Sequence, residues 1–495
     1  MAIPLTEQTQ PVVLDPPVRG AIAARLQRGF SYSMIGQVVL YGMAFLMAPF
    51  YTHAMGPADY GIVSLTSSVR SLLLMLMPMS TAGAVTYWYN LRRSDVKALR
   101  LDLGGTEGLT LALSSGWLLL TLALGPQLQR RLLPDLSLAF WPYGAMVVTS
   151  AWLLSLQAVP MALLAAQERM NWTATINVAL GLAQSGLIIL MVVRWRGGAA
   201  GQVRAVFIYA AAASLLFLWL IFRYMPPRIH LQLWREVAWY SFPLVPHQLS
   251  VWALNLSDRL IIAHYGRAFA YELGLYSLGY SVAMLMQTVV AAFNTIWAPV
   301  YMEQARSNPD AQTALGRIAA LSCLALALAA SGLILFAPAI VALIGGARYA
   351  GSAHYIAPVV LGYFLQAVYM FPAMALFHRK ETRKLPIITV ASCILNIGAN
   401  VALIPHFGVI VAAWSTAAGF GLMALLGFVI GHPVYPLVYT RKPLIATAAV
   451  LIGTFLLNEL SGLTLGVLGI KALAWVSAAG LAWILFGREA ERKPA

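Results

Sequence analysis

Three ionisable residues lie deep inside long apolar stretches of this sequence: Arg70, Asp258 and Arg259. A charged side chain at membrane depth is costly unless it faces a cavity or a partner, so all three are candidate functional residues. A guanidinium keeps its charge and can bind two phosphate oxygens at once, whereas an isolated carboxylate requires a cation, a proton or an arginine. We expect Arg70 and Arg259 to bind an anion and Asp258 to take part in ion coupling.

Asp258 is the only acidic residue that the apolar pattern places deep in a span, since Glu107 falls near a helix edge. Neighbouring side chains of a helix point about 100° apart, which argues against a direct Asp258–Arg259 pair. Arg259 also lies close enough to the outer end of its span to extend towards the headgroups. The pattern therefore leaves two roles open for Arg259, a cavity cation or an interfacial one.

Uncharged polar and aromatic residues add further candidates. Asn396 and Asn400 are four residues apart and share one helix face, where amides join helices or coordinate a cation. Tyr87, Trp252 and Tyr280 belong to aromatic groups near two similar sequence segments. Such rings form interfacial belts or pack between helices, and those that line a cavity can stack on sugars.

The sequence carries no enzyme signature: it has no phosphate-binding loop ending in Gly-Lys-Ser/Thr, no His-Glu-x-x-His and no Gly-x-Ser-x-Gly motif. Its two cysteines lie in apolar runs and its eight histidines are scattered, so we expect neither a metal site nor a cofactor. The formal charge of +15 comes from short clusters between apolar runs, which argues against nucleic-acid binding.

Membrane-spanning helices must position these residues. Of the 495 residues, 60% are hydrophobic and 10% are charged. The apolar runs reach the roughly 20 residues that a helix needs to cross a bilayer, so we predict an all-α polytopic membrane protein of about fourteen transmembrane helices. The predicted spans are 30–53, 61–89, 104–124, 138–165, 172–193, 205–223, 240–263, 274–300, 318–343, 354–378, 386–405, 408–430, 443–458 and 464–486.

Basic residues determine the predicted orientation. The segments assigned to the cytoplasm carry 22 of the 32 lysine and arginine residues, the outer loops carry 7, and 3 lie in spans. This positive-inside asymmetry, together with an even number of helices, places both termini in the cytoplasm. Residues 1–29 form a polar cytoplasmic segment before an uncleaved first span, and residues 487–495 form a cytoplasmic tail.

An internal similarity indicates a repeat. The segment Gly61–Val69 aligns without gaps with Gly274–Val282 and is identical at five of nine positions. Both segments open the second helix of a candidate six-helix unit. Two units with an even number of helices would share one orientation in the membrane.

Several short motifs occur together: Met55-Gly-Pro-Ala-Asp-Tyr-Gly61, Ser241-Phe-Pro-Leu-Val-Pro246, Leu256-Ser-Asp-Arg-Leu260, Trp297-Ala-Pro299 and Asn400-Val-Ala-Leu-Ile-Pro405. Because these motifs occur in this order, the sequence resembles the Wzx-type polysaccharide flippases of the multidrug/oligosaccharidyl-lipid/polysaccharide exporter superfamily. One position departs from such sequences, because Thr86 is followed by Tyr87 where an arginine often stands.

The resemblance implies two six-helix lobes around a central cavity, residues 30–223 and 240–430, followed by two further helices in residues 443–486. It implies alternating access that carries an undecaprenyl-diphosphate-linked oligosaccharide across the inner membrane, with cationic cavity residues at the diphosphate. A Na⁺ or H⁺ gradient would drive the return of the transporter to its starting conformation. Membrane lipid and polysaccharide polymerase machinery are the implied partners.

Two other functions are considered. A multidrug exporter of the same superfamily is the nearest alternative, although the span 30–53 lacks the acidic residue that such exporters commonly place in their first helix. A membrane glycosyl polymerase or ligase would be expected to have a large outer loop with arginine and histidine, and the loops of this sequence are too short. We therefore expect a transporter rather than an enzyme.

Overall fold

The computed structural model describes residues 47–92, 94–266, 269–460 and 462–490. The amino-terminal segment, most of the first predicted span and the end of the tail lie outside these ranges. The described chain consists of helices joined by turns and short connections, without a strand, which confirms the predicted all-α class. The α-helices are α1 Pro57–Leu76, α2 Ala82–Arg92, α3 Val96–Leu132, α4 Ala145–Ser155, α5 Ala158–Ala166, α6 Met170–Ile188, α7 Gly198–Tyr224, α8 Leu231–Ser241, α9 Val245–His264, α10 Ala270–Ser307, α11 Ala311–Leu335, α12 Ala337–Gly345, α13 Ala353–His378, α14 Leu385–Phe407, α15 Ile410–Gly431, α16 Arg441–Asn458 and α17 Leu465–Ala490.

Within the described ranges, ten helical segments are long and apolar enough to cross a membrane. Each exceeds the roughly 20 residues that the hydrocarbon layer requires. The chain is therefore a multi-pass membrane protein. The total of about fourteen spans stays a prediction.

Two predicted spans in the first half of the chain are interrupted. The second is divided into α1 and α2 by a turn in which Met79 and Ser80 have φ values of 43° and 64°. The fourth is divided into α4 and α5 at Gln157. Pro78 and Pro160 lie at these points, and each lacks the N–H that would continue the helix. Because α1 packs on α4 and α2 packs on α5, the two interruptions lie side by side.

The short helix α8 lies in a connection that the sequence analysis treated as a loop. The segment that leads into it packs closely on α3. The backbone N–H of Arg228 donates to Gly104 O at 2.9 Å, and Trp234 Nε1 donates to Gly105 O at 2.9 Å. A Cβ atom at Gly108 would overlap the carbonyl group of Arg228. This close approach requires glycine and determines which face of α3 turns towards the other helices.

The apolar core is distributed unevenly. One large cluster of buried side chains lies among α9 to α15 and includes Tyr60 and Leu65 of α1. Between residues 55 and 237, the described helices form five smaller clusters instead. The two similar sequence segments meet where α1 packs on α10, since a Cβ atom at Gly274 would overlap the carbonyl oxygen of Pro57.

Candidate functional site

Helix α9 carries a buried ion pair between neighbouring residues. Arg259 Nη1 lies 2.9 Å from Asp258 Oδ1, and the two residues are 3% and 1% exposed. The same carboxylate oxygen accepts the backbone N–H of Arg259 at 2.8 Å. The prediction against a direct pair is therefore wrong. The two side chains do leave the helix in different directions, but the carboxylate folds onto the backbone of the next residue and the long arginine side chain returns to it.

Arg259 also joins α9 to α1 and α10. Its Nε donates to Ser64 Oγ at 3.0 Å, and its Nη1 donates to the carbonyl oxygen of Asn255 at 2.9 Å. The guanidinium carbon lies 4.2 Å from the centre of the Tyr280 ring. An anion, two hydrogen bonds and an aromatic face together compensate the burial of this cation. Arg259 therefore lies inside the protein and does not extend to the membrane interface.

Three buried tyrosines complete this group. Tyr276 OH donates to Asp258 Oδ2, so both carboxylate oxygens have donors. Tyr363 OH lies 3.1 Å from Tyr280 OH and 3.2 Å from Asn255 Oδ1. We call this group the Asp258 centre; it comprises Ser64, Asn255, Asp258, Arg259, Tyr276, Tyr280 and Tyr363.

The two predicted asparagines form a second polar group. Asn396 Nδ2 donates to Ser415 Oγ at 3.3 Å, and Ser415 Oγ donates to Asn400 Oδ1 at 2.5 Å. Both amides are buried and join α14 to α15 through this hydroxyl. Asn396 Oδ1 and Asn400 Nδ2 have no hydrogen-bond partner among the described residues. The shared helix face is as predicted, and the amides connect neighbouring helices.

Arg70 is half-buried on α1, thirteen residues beyond Pro57. At helical rise this is about 20 Å along the helix, which is membrane depth. Arg70 forms no hydrogen bond or ion pair with any residue in the described ranges, and the titratable residues near it are Tyr51 and Tyr209. Its charge is therefore available to an anion from outside the described chain.

The remaining aromatic candidates differ in exposure. Tyr87 on α2 is 53% exposed, and its ring lies 4.9 Å from Trp88 and 6.3 Å from Tyr240. Trp252 is half-buried on α9 against the large core, and its Nε1 is buried without a partner in the part of the chain that is described. Trp252 precedes Arg259 by seven residues, so the two side chains share one face of α9.

Glu107 differs from its predicted position near a helix edge. It is 0% exposed, and neither carboxylate oxygen has a hydrogen-bond partner among the described residues. The edge prediction is wrong because α3 begins at Val96, eight residues before the predicted start at 104. Glu107 therefore lies eleven residues into the helix, at about 16 Å from its first residue.

Comparison with known proteins determines the family. The family model described as polysaccharide biosynthesis protein matches residues 26–305, which is more than half of the chain. The chain belongs to this family. An uncharacterized membrane protein of Haemophilus influenzae is 22% identical over 409 residues, covering 80% of this chain and 95% of that protein. The Lsg locus putative protein 1 of the same organism is 19% identical over 391 residues, covering 76% and 92%.

Solved structures show the same fold. An inward-facing multidrug resistance MATE family transporter of the MOP superfamily aligns with a TM-score of 0.61 at 16% identity, over 83% of this chain and 94% of that chain. The lipid II flippase MurJ in an inward closed conformation aligns with a TM-score of 0.53 at 13% identity, over 95% and 100%. The resemblance to polysaccharide flippases is thereby confirmed at the level of family and fold. The chain is thus a multi-pass membrane protein of a polysaccharide biosynthesis family, and its fold is also that of the two solved proteins.

Sequence reasoning missed the partners of the buried charges. None of Tyr276, Tyr363, Asn255 and Ser64 was singled out as a candidate. One signal could have indicated a residue such as Tyr276. An arginine next to a buried carboxylate can bind one of its oxygens, and the other oxygen then needs a hydrogen-bond donor from elsewhere. The structure brings Asp258, Arg259 and Tyr280 together and joins Asn396 to Asn400 through Ser415, and it leaves Arg70, Tyr87 and Trp252 outside both groups.

Proposed function

We propose that this transporter moves an undecaprenyl-diphosphate-linked oligosaccharide from the cytoplasmic to the periplasmic leaflet of the inner membrane by alternating access. Residues 30–223 and 240–430 would form two six-helix lobes around the cavity, and residues 443–486 two further helices. Both termini would be cytoplasmic, as the distribution of basic residues predicts. The family match, to proteins of polysaccharide biosynthesis, supports this substrate class.

Physical chemistry explains why such a substrate needs a protein. A diphosphate and a hydrophilic glycan cannot cross hydrocarbon, because they would lose their hydration without replacement. The polyprenyl tail can remain in the lipid. The transporter must therefore offer a polar, laterally open cavity with positive charge for the diphosphate.

Arg70 is the observation that carries the proposal. It is a cation at membrane depth to which the described chain supplies no anion. Arg259 contacts Ser64, which precedes Arg70 on α1 by six residues, so the two cations differ by about 9 Å in depth. Arg259 is held by Asp258 in this conformation and can reach the diphosphate only after that ion pair opens. We assign Arg70 the principal contact and Arg259 a second one.

Other predicted residues take supporting roles in the proposal. The exposed ring of Tyr87 and the half-buried Trp252 offer faces for stacking on sugars, and Tyr280 holds Arg259 in place. Asp258, Asn396 and Asn400 are proposed to participate in coupling to an ion gradient. Their buried oxygens are the polar groups that a cation would require.

The test is the amount of glycan at the cell surface in a strain that lacks the gene and carries variants on a plasmid. We expect Arg70→Ala to abolish surface glycan at unchanged transporter abundance, because the diphosphate loses its cation. Arg70→Lys should restore only part of it, since an ammonium lacks the guanidinium fork. Arg259→Ala should have a smaller effect per molecule of transporter.

Arg235→Ala is the matched control, because Arg235 is exposed on α8. It should leave surface glycan unchanged. Normal surface glycan in an Arg70→Ala, Arg259→Ala double variant would contradict the cationic cavity.

The multidrug exporter alternative is supported by the fold similarity to a MATE family transporter. It predicts that deletion changes sensitivity to toxic cations while surface glycan stays normal. Our proposal predicts that deletion causes unflipped lipid-linked oligosaccharide to accumulate. Chromatography of extracted lipids, together with growth in the presence of such cations, separates the two.

A further inference from the structure

Glu107 is a buried acid whose surroundings differ from those of every other charged group described above. None of its surface is exposed, and both of its oxygens are without a partner among the described residues. Five residues earlier on α3, Asp102 is 2.9 Å from Arg92 and retains some exposure. The helix therefore carries a paired acid near its beginning and an unpaired one about 7 Å deeper.

Helical geometry places Glu107 against an apolar cluster. Leu103 and Leu111, four residues before and after it, lie on the same face of α3. Both contact the buried cluster that is formed by Val85, Leu156, Val159, Phe217, Ile221 and Met225. The adjacent face of α3, on which Gly104 and Gly108 lie, is covered by the backbone that leads into α8. An ionised carboxylate on the apolar face would lose its hydration without gaining a donor, so the protonated form is favoured there.

Among the described residues, the neighbouring helices supply no positive charge that would balance an ionised Glu107. Helices α4 and α5 carry no titratable residue. Three titratable residues lie near the beginning of α3: Arg92 at the end of α2, His230 just before α8 and Glu236 on α8. These three lie near Asp102, whereas neither oxygen of Glu107 has a hydrogen-bond partner among the described residues. The remaining groups are the half-buried Tyr89, the exposed Tyr87, Arg223, Tyr224, Arg235 and Tyr240 on α2, α7 and α8, and the exposed Arg228 in the segment before α8 that packs on Gly104 and Gly108.

The interrupted helices lie beside this residue. Thr110, one turn beyond Glu107, is 2.7 Å from Thr81 at the end of the turn between α1 and α2. Ser80 in the same turn has a buried hydroxyl without a partner in the described ranges. Leu156, at the interruption between α4 and α5, belongs to the cluster on the Glu107 face. A change of angle at these interruptions would alter the surroundings of Glu107 directly.

We propose that Glu107 is a proton-binding site of this transporter, occupied by a proton in the present conformation and released to water when the interrupted helices rearrange. One proton is taken up from one side of the membrane and delivered to the other in each cycle. A metal ion would require several oxygen ligands, and Glu107 belongs to no group of acids, histidines or cysteines among the described residues, so this single carboxyl group suits a proton. This inference rests on the proposed transport function and adds a coupling site on α3, away from the Asp258 centre.

The first test detects the proton without transport. Infrared spectroscopy of the purified full-length protein should show the carbonyl band of a protonated carboxylic acid at neutral pH, shifted in heavy water. The band should be lost in Glu107→Gln and retained in Glu168→Gln, where the same change is made at an exposed residue of the same half. If Glu107→Gln accumulates poorly, Glu107→Leu replaces it, because leucine fits the apolar surroundings. A band that persists in both Glu107 variants would overturn the proposal.

The second test measures coupling in proteoliposomes that contain undecaprenyl-diphosphate-linked oligosaccharide from the deletion strain. Flipping is measured as the fraction of glycan that an added glycosidase can cleave. A pH gradient should accelerate flipping by the wild-type protein and by Glu168→Gln, and this acceleration should vanish in Glu107→Gln. An unchanged acceleration in Glu107→Gln also overturns the proposal. Absence of flipping by the wild-type protein would instead refute the transport function, while the infrared comparison still decides whether Glu107 holds a proton.

Discussion

Asp258 and Glu107 are both buried acids on membrane helices, yet their contacts have nothing in common. Asp258 is bound by Arg259 and by the hydroxyl of Tyr276, so both of its oxygens have donors. Neither oxygen of Glu107 has a partner among the described residues. A buried acid can be stabilised by a cation and donors or by retention of its proton, and the two sites represent these two solutions.

The surrounding helices differ in the same way. The Asp258 centre joins α1, α9, α10 and α13, and its three tyrosines belong to the large core. Glu107 adjoins one of the five small clusters, beside two interrupted helices. Large packed cores resist rearrangement, whereas regions with few buried contacts open at lower free energy. We therefore expect α9 to α15 to move as a unit and the interrupted helices to supply the changes of angle.

The largest effect is expected from removing the cation of the paired site. Arg259→Ala leaves Asp258 buried without its partner, and breaking a buried pair in this way costs about 3–5 kcal/mol. The unfolding temperature of the detergent-solubilised protein should fall strongly. Adding Asp258→Asn removes the uncompensated charge and should restore part of the loss. Identical unfolding temperatures for the single and double variants would show that Asp258 is not ionised, and the contrast with Glu107 would disappear.

A smaller effect is expected from removing one donor while the ion pair stays. Tyr276→Phe deprives Asp258 Oδ2 of its hydroxyl, and a hydrogen bond to a charged group contributes about 1.5–3 kcal/mol. The matched control is Tyr355→Phe. The Tyr355 ring packs 5.5 Å from that of Tyr276, but its hydroxyl forms no hydrogen bond with a described residue. Equal unfolding temperatures for the two variants would mean that the tyrosine contributes packing alone.

The sequence predicted the helices of this fold better than their interruptions. Apolar length is sufficient to recognise a span, because a bilayer imposes a minimum. Pro78 and Pro160 lie at the interruptions, but proline is common in membrane helices and does not by itself indicate where a helix stops. The neighbouring helices decide that, since they must satisfy or bury the backbone groups that the interruption exposes.

The sequence predicted the charged residues of the candidate site but not the residues that bind them. Arg70, Asp258 and Arg259 stood out because membrane depth makes charge costly. Their pairing depends on side-chain length and on tyrosines from other helices, and neither follows from helical phase. Glu107 was misplaced because the charged beginning of α3 concealed that the helix starts at Val96. A pattern of apolar residues cannot show that a polar stretch is helical and buried.

The smallest effect is expected from the unpaired acid, and it tests the comparison most sharply. Glu107→Gln exchanges a neutral carboxyl group for a neutral amide of nearly the same shape, so no charge is stranded and no ion pair is lost. We expect the free energy of unfolding at neutral pH to change by less than about 1 kcal/mol, within the range of a single neutral hydrogen bond. Asp258→Asn makes the same chemical change at the paired site, but it leaves Arg259 buried without its anion and should be much more destabilising. Thermal unfolding of the two variants, in the same detergent and at the same pH, measures the difference directly. A loss of stability in Glu107→Gln as large as that in Asp258→Asn would mean that Glu107 is ionised and bound to a cation, and both acids would then be stabilised in the same way.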